Sequence, residues 1–172
     1  YLPHRNTKKR MSVEVAERVF ERIFTFPTIH DSVGVVWHAG EPMVLPPSYY
    51  EEMFTLVKRI AGPKIDVRHS FQTNGTLIDD ELAAFFKEHG YLVGISIDGP
   101  PSMHDAYRVD RGGAPTFDRV RQGLERLHAH GVEVNTLTTL HRANADHPVE
   151  VYRFLRDDLD LSNVNVGLRF EL

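Results

Sequence analysis

The chain has 172 residues, of which 41% are hydrophobic, and its 24 acidic and 20 basic residues give a formal net charge of −4. This length is sufficient for one well-packed core, and no apolar run approaches the length of a transmembrane segment. The acidic balance argues against a nucleic-acid-binding protein held by a positive field, and the lack of cysteine excludes disulfides and thiolate metal sites within these residues.

Helical and strand-like patterns alternate along the whole chain. Apolar residues recur at three- and four-residue spacing after Ser12, which is a suitable N-cap, and Gly62 and Gly90 are helix-ending signals. The predicted elements are, in chain order, a helix from residue 12, a strand at about 33–38, a helix at about 48–60, a strand at about 65–71, a helix at about 79–89, a strand at about 91–97, a helix from residue 116, a strand at about 132–139, a helix at about 147–158 and a strand at about 163–170.

This alternation predicts right-handed crossovers and a parallel sheet, hence an α/β fold. The spacing of roughly 30 residues between strands fits an open doubly wound sheet or a TIM-type barrel. Neither G-x-G-x-x-G nor a Walker A motif is present, which disfavours nucleotide-binding folds of those types. We expect one domain over residues 1–172, truncated at both ends, because Tyr1 lacks an initiator or signal pattern and the last segment stops on a strand-like alternation.

Polar side chains follow the carboxyl ends of the predicted strands, where parallel α/β folds bind their ligands. Because side chains alternate along a strand, Gln72 and Asn74 share one face of their strand, and Ser96 and Asp98 share one face of the next. Turn formation is the alternative for Asn74 and for Asp98, since a glycine follows each. The series as a whole comprises Glu41, Gln72, Asn74, Ser96, Asp98, Asn135, Thr138 and Arg169.

The ten histidines do not indicate a metal site. His38 and His69 are expected on neighbouring strands, yet the chain has neither a His-x-x-x-His nor a His-Glu pattern. A role other than metal binding is favoured for these two histidines, and packing is favoured for Trp37 and Phe71. The absence of a Gly-x-Ser-x-Gly elbow argues against a serine hydrolase.

Four segments together resemble the radical S-adenosylmethionine (radical SAM) superfamily: WHAGEP, SFQTNGTLI, VGISIDGPPSMHDAYRVDRGGAPTFDRV and VEVNTLTTL. They occur in the order typical of the family and span nearly the whole chain. The nearest branch by resemblance is the SPASM-type peptide- and protein-maturing enzymes, which include the anaerobic sulfatase-maturating enzymes. The segments YLPHRNTKKRMS and VVWHAGEPMVLPPSYYEE also resemble maturases that cross-link side chains of ribosomally made peptides into cyclophanes.

The resemblance implies a partial TIM-type (β/α)6 radical SAM barrel of which strands two to six are present. In this family a C-x-x-x-C-x-x-C loop after the first strand binds three irons of a [4Fe-4S] cluster, and SAM chelates the fourth. Tyr1 would directly follow the third cysteine, so the cluster ligands of the full-length protein would lie outside this chain. A chain without cysteine cannot supply the thiolates, so we assign no metal ligand and expect this chain to be inactive alone.

The WHAGEP segment resembles the G-G-E-P motif of the family, whose backbone and glutamate receive the methionine ammonium of SAM. Ala39 stands in place of the first glycine, and Gly40 and Glu41 match the next two positions. A glycine at a strand end lets carbonyl oxygens approach a cation, and Glu41 adds the opposite charge. These three residues are therefore expected at the ammonium of SAM.

Ser96 and Arg108 resemble the family pair that binds the methionine carboxylate, one as a hydroxyl donor and the other as a guanidinium fork. The alternative for Arg108 is a surface ion pair with Asp105 or Asp110. If the resemblance holds, Arg108 binds the cofactor. If the alternative holds, Arg108 forms a surface ion pair within its loop and has no part in the site.

Five further residues are implied in the SAM site. Gln72 and Asn74 resemble residues of the third barrel strand that line this site, and Asn135 and Thr138 would lie near the ribose or the substrate. Asp98 is either a residue of the site or a turn former. No catalytic residue is assigned.

The resemblance implies a cytoplasmic peptide maturase that cleaves SAM reductively to methionine and a 5′-deoxyadenosyl radical, which abstracts hydrogen from a side chain. The implied partners are a ribosomally made peptide or protein and a reductant such as flavodoxin or ferredoxin, with no nucleic acid and no membrane. Two alternatives stay open. One is a degenerate, non-redox SAM- or peptide-binding module, and the other is a TIM-type hydrolase or isomerase that uses Glu41 and Asp98 as acid and base.

Overall fold

The computed structural model describes residues 10–29, 31–38, 40–161 and 164–167. Strands and helices alternate through these residues. The helices are α1 (Val13–Phe24), α2 (Pro47–Ala61), α3 (Asp80–His89), α4 (Pro101–His104), α5 (Phe117–Ala129) and α6 (Pro148–Arg153). The strands are β1 (Ser32–Trp37), β2 (Asp66–Thr73), β3 (Leu92–Ser96), β4 (Val134–Thr139) and β5 (Val164–Gly167).

The predicted elements match these assignments, with differences at three places. The predicted last helix is α6 followed by a π-helical turn at Phe154–Asp158. A 3-10 helix at Pro42–Val44 and the four-residue α4 are absent from the prediction, because elements this short have no hydrophobic period. Residues 168–170 of the predicted last strand, including Arg169, lie outside the described residues.

The chain divides into two units by internal packing. The first comprises Tyr1–Gly34 and Pro46–Arg68, and within it α1 packs against α2. Ser12 caps α1 as predicted, because its hydroxyl accepts a hydrogen bond from Val15 N–H at 3.4 Å. Between the two helices, Arg59 Nη2 donates to Glu17 Oε1 at 2.6 Å.

The second unit, Val35–Leu45 and His69–Leu172, holds most of the sheet. The strand order is β1-β2-β3-β4-β5, and the β2–β3, β3–β4 and β4–β5 pairs are parallel. Consecutive strands are therefore neighbours, joined by helical crossovers, and β1 and β5 are the edges among the described residues. The predicted α/β class with a parallel sheet is confirmed.

The sheet has one buried face and one half-exposed face, since successive side chains point to opposite sides. On the buried face, Phe71 packs on Phe86 of α3 with ring centroids 5.0 Å apart. Other buried residues of this core are Val120 and Leu124 of α5 and Ile95 of β3. The half-exposed face carries polar residues near the carboxyl ends of three strands. They are Gln72, Asn74, Ser96, Asn135 and Thr139.

Helix α3 ends at Gly90, whose φ of +65° lies in the left-handed region that a side chain disfavours. This confirms the predicted boundary. In the part of the chain that the structure describes, no helix combines the length and hydrophobicity needed to cross a membrane.

Helix α5 approaches the turn at Gly75 so closely that Gly123 has no room for a methyl group. A Cβ at residue 123 would clash with the Gly75 carbonyl oxygen and lie 3.2 Å from Ile78 Cβ. We expect Gly123→Ala to lower the free energy of unfolding by about 1–3 kcal/mol in urea titrations, although alanine is the better helix former.

Gly34→Ala is the matched control for this substitution. No atom lies within 4 Å of a Cβ at residue 34, so we expect a change below about 0.5 kcal/mol. Equal or greater stability of the Gly123→Ala protein would contradict the close approach of α5 to the turn.

Candidate functional site

Glu41 is fixed beyond the end of β1 by three hydrogen bonds. Its Oε1 accepts from the Thr73 hydroxyl at 2.5 Å and from Met43 N–H at 3.1 Å. Its Oε2 accepts from Asn74 N–H at 2.9 Å. Because each carboxylate oxygen can accept two hydrogen bonds, Oε2 keeps one position for a further donor. Glu41 therefore presents an oriented negative charge at the carboxyl ends of the strands.

Gly40 precedes this carboxylate in a conformation with φ of +72°. The left-handed region is costly for a residue with a Cβ, so the glycine is needed for the direction in which Glu41 leaves the strand. Ala39, the other predicted residue of this motif, lies outside the described residues.

Gln72, Ser96 and Asn135 meet over Gly94 on the half-exposed face. Gln72 Nε2 donates to Ser96 Oγ at 3.2 Å. Gly94 is the register partner of both Gln72 on β2 and Asn135 on β4. A Cβ at residue 94 would clash with Gln72 Oε1 and lie 2.7 Å from Asn135 Oδ1. The two side-chain amides thus lean over the glycine and form a polar floor.

Arg108 forms a two-pronged ion pair with Asp98. Arg108 Nε donates to Asp98 Oδ2 at 2.5 Å, and Nη2 donates to Oδ1 at 2.9 Å and to Thr139 Oγ1 at 3.2 Å. Asp98 Oδ1 also accepts from Thr139 N–H at 2.8 Å. The Arg108 side chain is 26% exposed, and its Nη1 has no partner among the described residues. One edge of the guanidinium is therefore anchored, and the other can bind a ligand.

The alternative pairing of Arg108 with Asp105 or Asp110 is wrong. Asp105 Oδ1 instead accepts from Thr116 N–H and Phe117 N–H at 2.9 Å each, at the start of α5. The Asp110 side chain accepts from backbone N–H groups within its own loop and pairs with Arg119 at 2.9 Å.

Turn formation was the alternative role for Asn74 and Asp98, and the structure shows it for the side chain of Asn74 but not for that of Asp98. Asn74 Oδ1 accepts from both the N–H and the hydroxyl of Thr76, at 2.9 and 2.7 Å, so its side chain forms a turn while its backbone N–H binds Glu41. The Asp98 side chain serves the ion pair with Arg108 and is only 2% exposed. Asp98 is therefore part of the polar cluster at the strand ends.

Thr138 does not share a face with Asn135. It is 1% exposed on the buried face, and its hydroxyl donates to the Ile97 carbonyl oxygen at 2.8 Å. Its predicted place beside the ligand is therefore corrected: Thr139, which shares the face of Asn135, contacts Arg108 instead. The sequence alone could have shown this, because side chains alternate along a strand. Residues 135 and 139 are an even number of positions apart and share a face, whereas residue 138 points to the other face.

The long loop between β3 and α5 is fixed by His104, which the sequence did not single out. His104 Nδ1 accepts from Asp98 N–H at 3.3 Å, so in the neutral ring the proton lies on Nε2, which is 3.2 Å from Thr116 Oγ1. The Thr116 hydroxyl donates in turn to the Arg108 carbonyl oxygen at 2.7 Å. Burial, with the nearby Arg108 charge, lowers the pKa of His104 to about 4. The ring is therefore neutral near pH 7.

The packing roles predicted for Trp37 and Phe71 agree with the structure. Trp37 Nε1 donates to His69 Nδ1 at 3.2 Å, and the Trp37 and Phe71 rings are stacked 6.3 Å apart. Burial lowers the pKa of His69 to about 4. Among the residues that the structure covers, no group of three or more histidine, aspartate or glutamate side chains could hold a metal ion.

Residues 2–155 match the family model of the Radical SAM superfamily, and the chain belongs to this superfamily. It is 40% identical over 153 residues to a serine-type anaerobic sulfatase-maturating enzyme of Bacteroides thetaiotaomicron, a match that covers 88% of this chain and 36% of that protein. It is 32% identical over 156 residues to a cysteine-type anaerobic sulfatase-maturating enzyme of Clostridium perfringens, a match that covers 90% of this chain and 42% of that protein.

Solved structures agree with this membership. A histidine-tagged anSMEcpe with bound AdoMet superposes with a TM-score of 0.88 at 27% identity, over 99% of this chain and 46% of that chain. A native anSMEcpe with bound AdoMet and the Kp18Cys peptide has a TM-score of 0.87 at 27% identity, over 99% of this chain and 47% of that chain. The chain spans less than half the length of these relatives. The predicted family and its partial TIM-type barrel are confirmed.

The neutral His104 generates a prediction about acid stability. Between about pH 6.5 and pH 4 the unfolded chain binds a proton at this residue and the folded chain does not, so stability falls as the pH falls. We expect urea unfolding at about pH 7 and about pH 5 to show this loss, at up to about 1.4 kcal/mol per pH unit for each such histidine.

His104→Asn is the variant that isolates this effect, because the asparagine oxygen can still accept from Asp98 N–H but does not titrate. His69 contributes with the same sign in both proteins and cancels in the comparison. A pH dependence as steep in His104→Asn as in the wild type would contradict the assignment.

Proposed function

We propose that this chain is the SAM-binding core domain of a radical SAM enzyme that modifies a side chain of a peptide or protein. One observation carries the proposal: a carboxylate, Glu41, and a guanidinium, Arg108, are each anchored by neighbours and each keep bonding capacity at the carboxyl ends of the strands. SAM carries an ammonium and a carboxylate on its methionine part. The Glu41 carboxylate can accept hydrogen bonds from the ammonium, and the Arg108 guanidinium can donate to the carboxylate.

Glu41 would bind the ammonium. Its Oε2 accepts a single hydrogen bond, from Asn74 N–H, and an ammonium can supply the second. A charge-assisted bond of this kind is about twice as strong as a neutral one. The left-handed Gly40 keeps the backbone beside Glu41 free of a side chain.

Arg108 and Ser96 would bind the carboxylate. Asp98 occupies one edge of the guanidinium, which leaves the two N–H groups of Nη1 for the ligand. Ser96 Oγ accepts from Gln72 Nε2 and keeps its own O–H for donation. Gln72 and Asn135, over Gly94, would supply the polar contacts of the adenosine part, while Thr138 has no place in this arrangement.

When bound, SAM would supply the one-electron chemistry that removes hydrogen from the substrate. The residues of this chain bind and orient the cofactor at its charged end. The chain contains no cysteine, so it provides no thiolate ligand that fits a [4Fe-4S] cluster. The cluster and a reductant such as flavodoxin or ferredoxin belong to the proposal for the complete protein.

A peptide or protein substrate is supported by the named relatives. Those relatives include anaerobic sulfatase-maturating enzymes, and one solved neighbour is described with a bound peptide. Cyclophane formation stays a prediction from the sequence. An acid–base mechanism through Glu41 and Asp98 is disfavoured, because Asp98 is buried and is held in its ion pair with Arg108.

Arg108→Lys tests the carboxylate assignment. Lysine keeps a positive charge opposite the buried Asp98 but lacks the planar fork, so the fold is spared an uncompensated charge. We expect calorimetry on the complete protein to show SAM binding weakened by about 1.5–3 kcal/mol. Decarboxylated SAM, which keeps the adenosine, sulfonium and ammonium, should bind with unchanged affinity. Arg111→Lys, an exposed change in the same loop, is the control. Unchanged SAM affinity in Arg108→Lys would refute the assignment.

Glu41→Gln tests the ammonium assignment and should give a different pattern. Both SAM and its decarboxylated form carry the ammonium, so we expect both to bind more weakly by about 1.5–3 kcal/mol. Glutamine retains an oxygen acceptor of the same size, which limits the effect on the fold. Retention of either affinity, measured in the same calorimetric series, would rule out the ammonium role of Glu41.

A further inference from the structure

His141 is a buried side chain that the proposed function does not use. Its side chain is 4% exposed, and its ring lies against the ring of Tyr107 with centroids 4.5 Å apart. Its Nδ1 accepts from Ala143 N–H at 3.2 Å, so in the neutral ring the proton lies on Nε2. That Nε2 has no hydrogen-bond partner among the described residues and lies 3.8 Å from Asp98 Oδ2.

Asn144 fixes the approach of His141 to Asp98. It is completely buried, and its Nδ2 donates to the carbonyl oxygens of Asp98 at 2.8 Å and Thr139 at 2.9 Å. Its Oδ1 accepts from His141 N–H at 2.8 Å. One side chain therefore links the main chains of the aspartate, of the end of β4 and of the histidine. This link holds the backbone of His141, and the hydrogen bond from Ala143 N–H to Nδ1 orients the ring.

The two oxygens of Asp98 are unequally satisfied. Oδ1 accepts from Arg108 Nη2 and from Thr139 N–H, whereas Oδ2 accepts only from Arg108 Nε. A ligand carboxylate on Arg108 Nη1 would share the guanidinium charge between two anions and weaken its hold on Oδ2. His141 Nε2, which has no hydrogen-bond partner among the described residues, lies 3.8 Å from this oxygen. Closing the gap between them would satisfy a buried donor and a buried acceptor together.

We propose that His141 is a positioning residue for Arg108. Its Nε2–H, which lies 3.8 Å from Asp98 Oδ2 in the structure, closes to hydrogen-bond distance of this oxygen and keeps the Asp98–Arg108 pair in place, both before and while a carboxylate binds Nη1. The inference rests on the proposed function, in which that carboxylate belongs to the methionine part of SAM. His141 touches neither the cofactor nor the reacting atoms and acts through Asp98.

Ligand binding to the complete protein tests this role. His141→Phe keeps an aromatic ring against Tyr107 and removes the N–H, so we expect SAM affinity to fall about three- to tenfold, the usual effect of one hydrogen bond. Decarboxylated SAM should bind as in the wild type. His141→Gln, whose terminal amide can place an N–H near the position of Nε2, should restore SAM binding.

Thr136→Val is the matched control for the loss of a buried, unpartnered polar group. Thr136 Oγ1 is also buried without a partner among the described residues, on the buried face of the same β4 strand that ends beside Asp98. This change should leave the affinities for both ligands unaltered. Equal weakening of both ligands in His141→Phe, or no weakening of either, would overturn the positioning role.

A ligand-free measurement separates this inference from the proposed function. We expect solvent exchange of the Arg108 Nε–H, followed by 15N NMR, to be several-fold faster in His141→Phe and to return to the wild-type rate in His141→Gln. If the wild type binds no SAM, the proposed function fails while this comparison still decides the role of His141. Unchanged exchange in His141→Phe would contradict the role.

Discussion

The buried carboxylate of Asp98 is the constraint on which the rest of the site depends. At 2% exposure its charge is stable only with fixed donors, and these come from separate elements: Arg108 in the β3–α5 loop and the backbone of Thr139 at the end of β4. The main chain of Asp98 is bound as well, by His104 and by Asn144. The loop, the strand ends and the guanidinium are thus ordered around one charge.

The charged side chains of the site are held in place before a ligand binds, which favours binding of a zwitterionic ligand. Glu41 and Arg108 are both held by hydrogen bonds from other segments, so binding does not have to immobilise flexible charged side chains. The neutral His104 contributes because it joins Asp98 to Thr116 without adding a second positive charge beside Arg108. These hydrogen bonds join the β3–α5 loop to the strand ends and restrict the movement of both.

Local features of the sequence determined the elements and the side of the sheet that carries the site. The spacing of hydrophobic residues distinguishes helices from strands. Ser12 and Gly90 are the residues that flank the start of α1 and the end of α3, so these boundaries depend on local sequence. Because all carboxyl ends of a parallel sheet lie at one edge, the polar residues after each strand could be assigned to one region. The short 3-10 helix and α4 were not predicted, since three or four residues show no period.

Only the tertiary structure decided which side chains pair. Asp98 meets Thr139 and Asn144 across 41 and 46 residues of sequence, and no local pattern ranks Asp98 above Asp105 or Asp110 as the partner of Arg108. Strand register and loop path place these groups within hydrogen-bond distance, and both depend on the packing of the whole sheet. Residue types and order in the sequence therefore determined the fold and the chemical character of the site, whereas packing determined its bonded geometry.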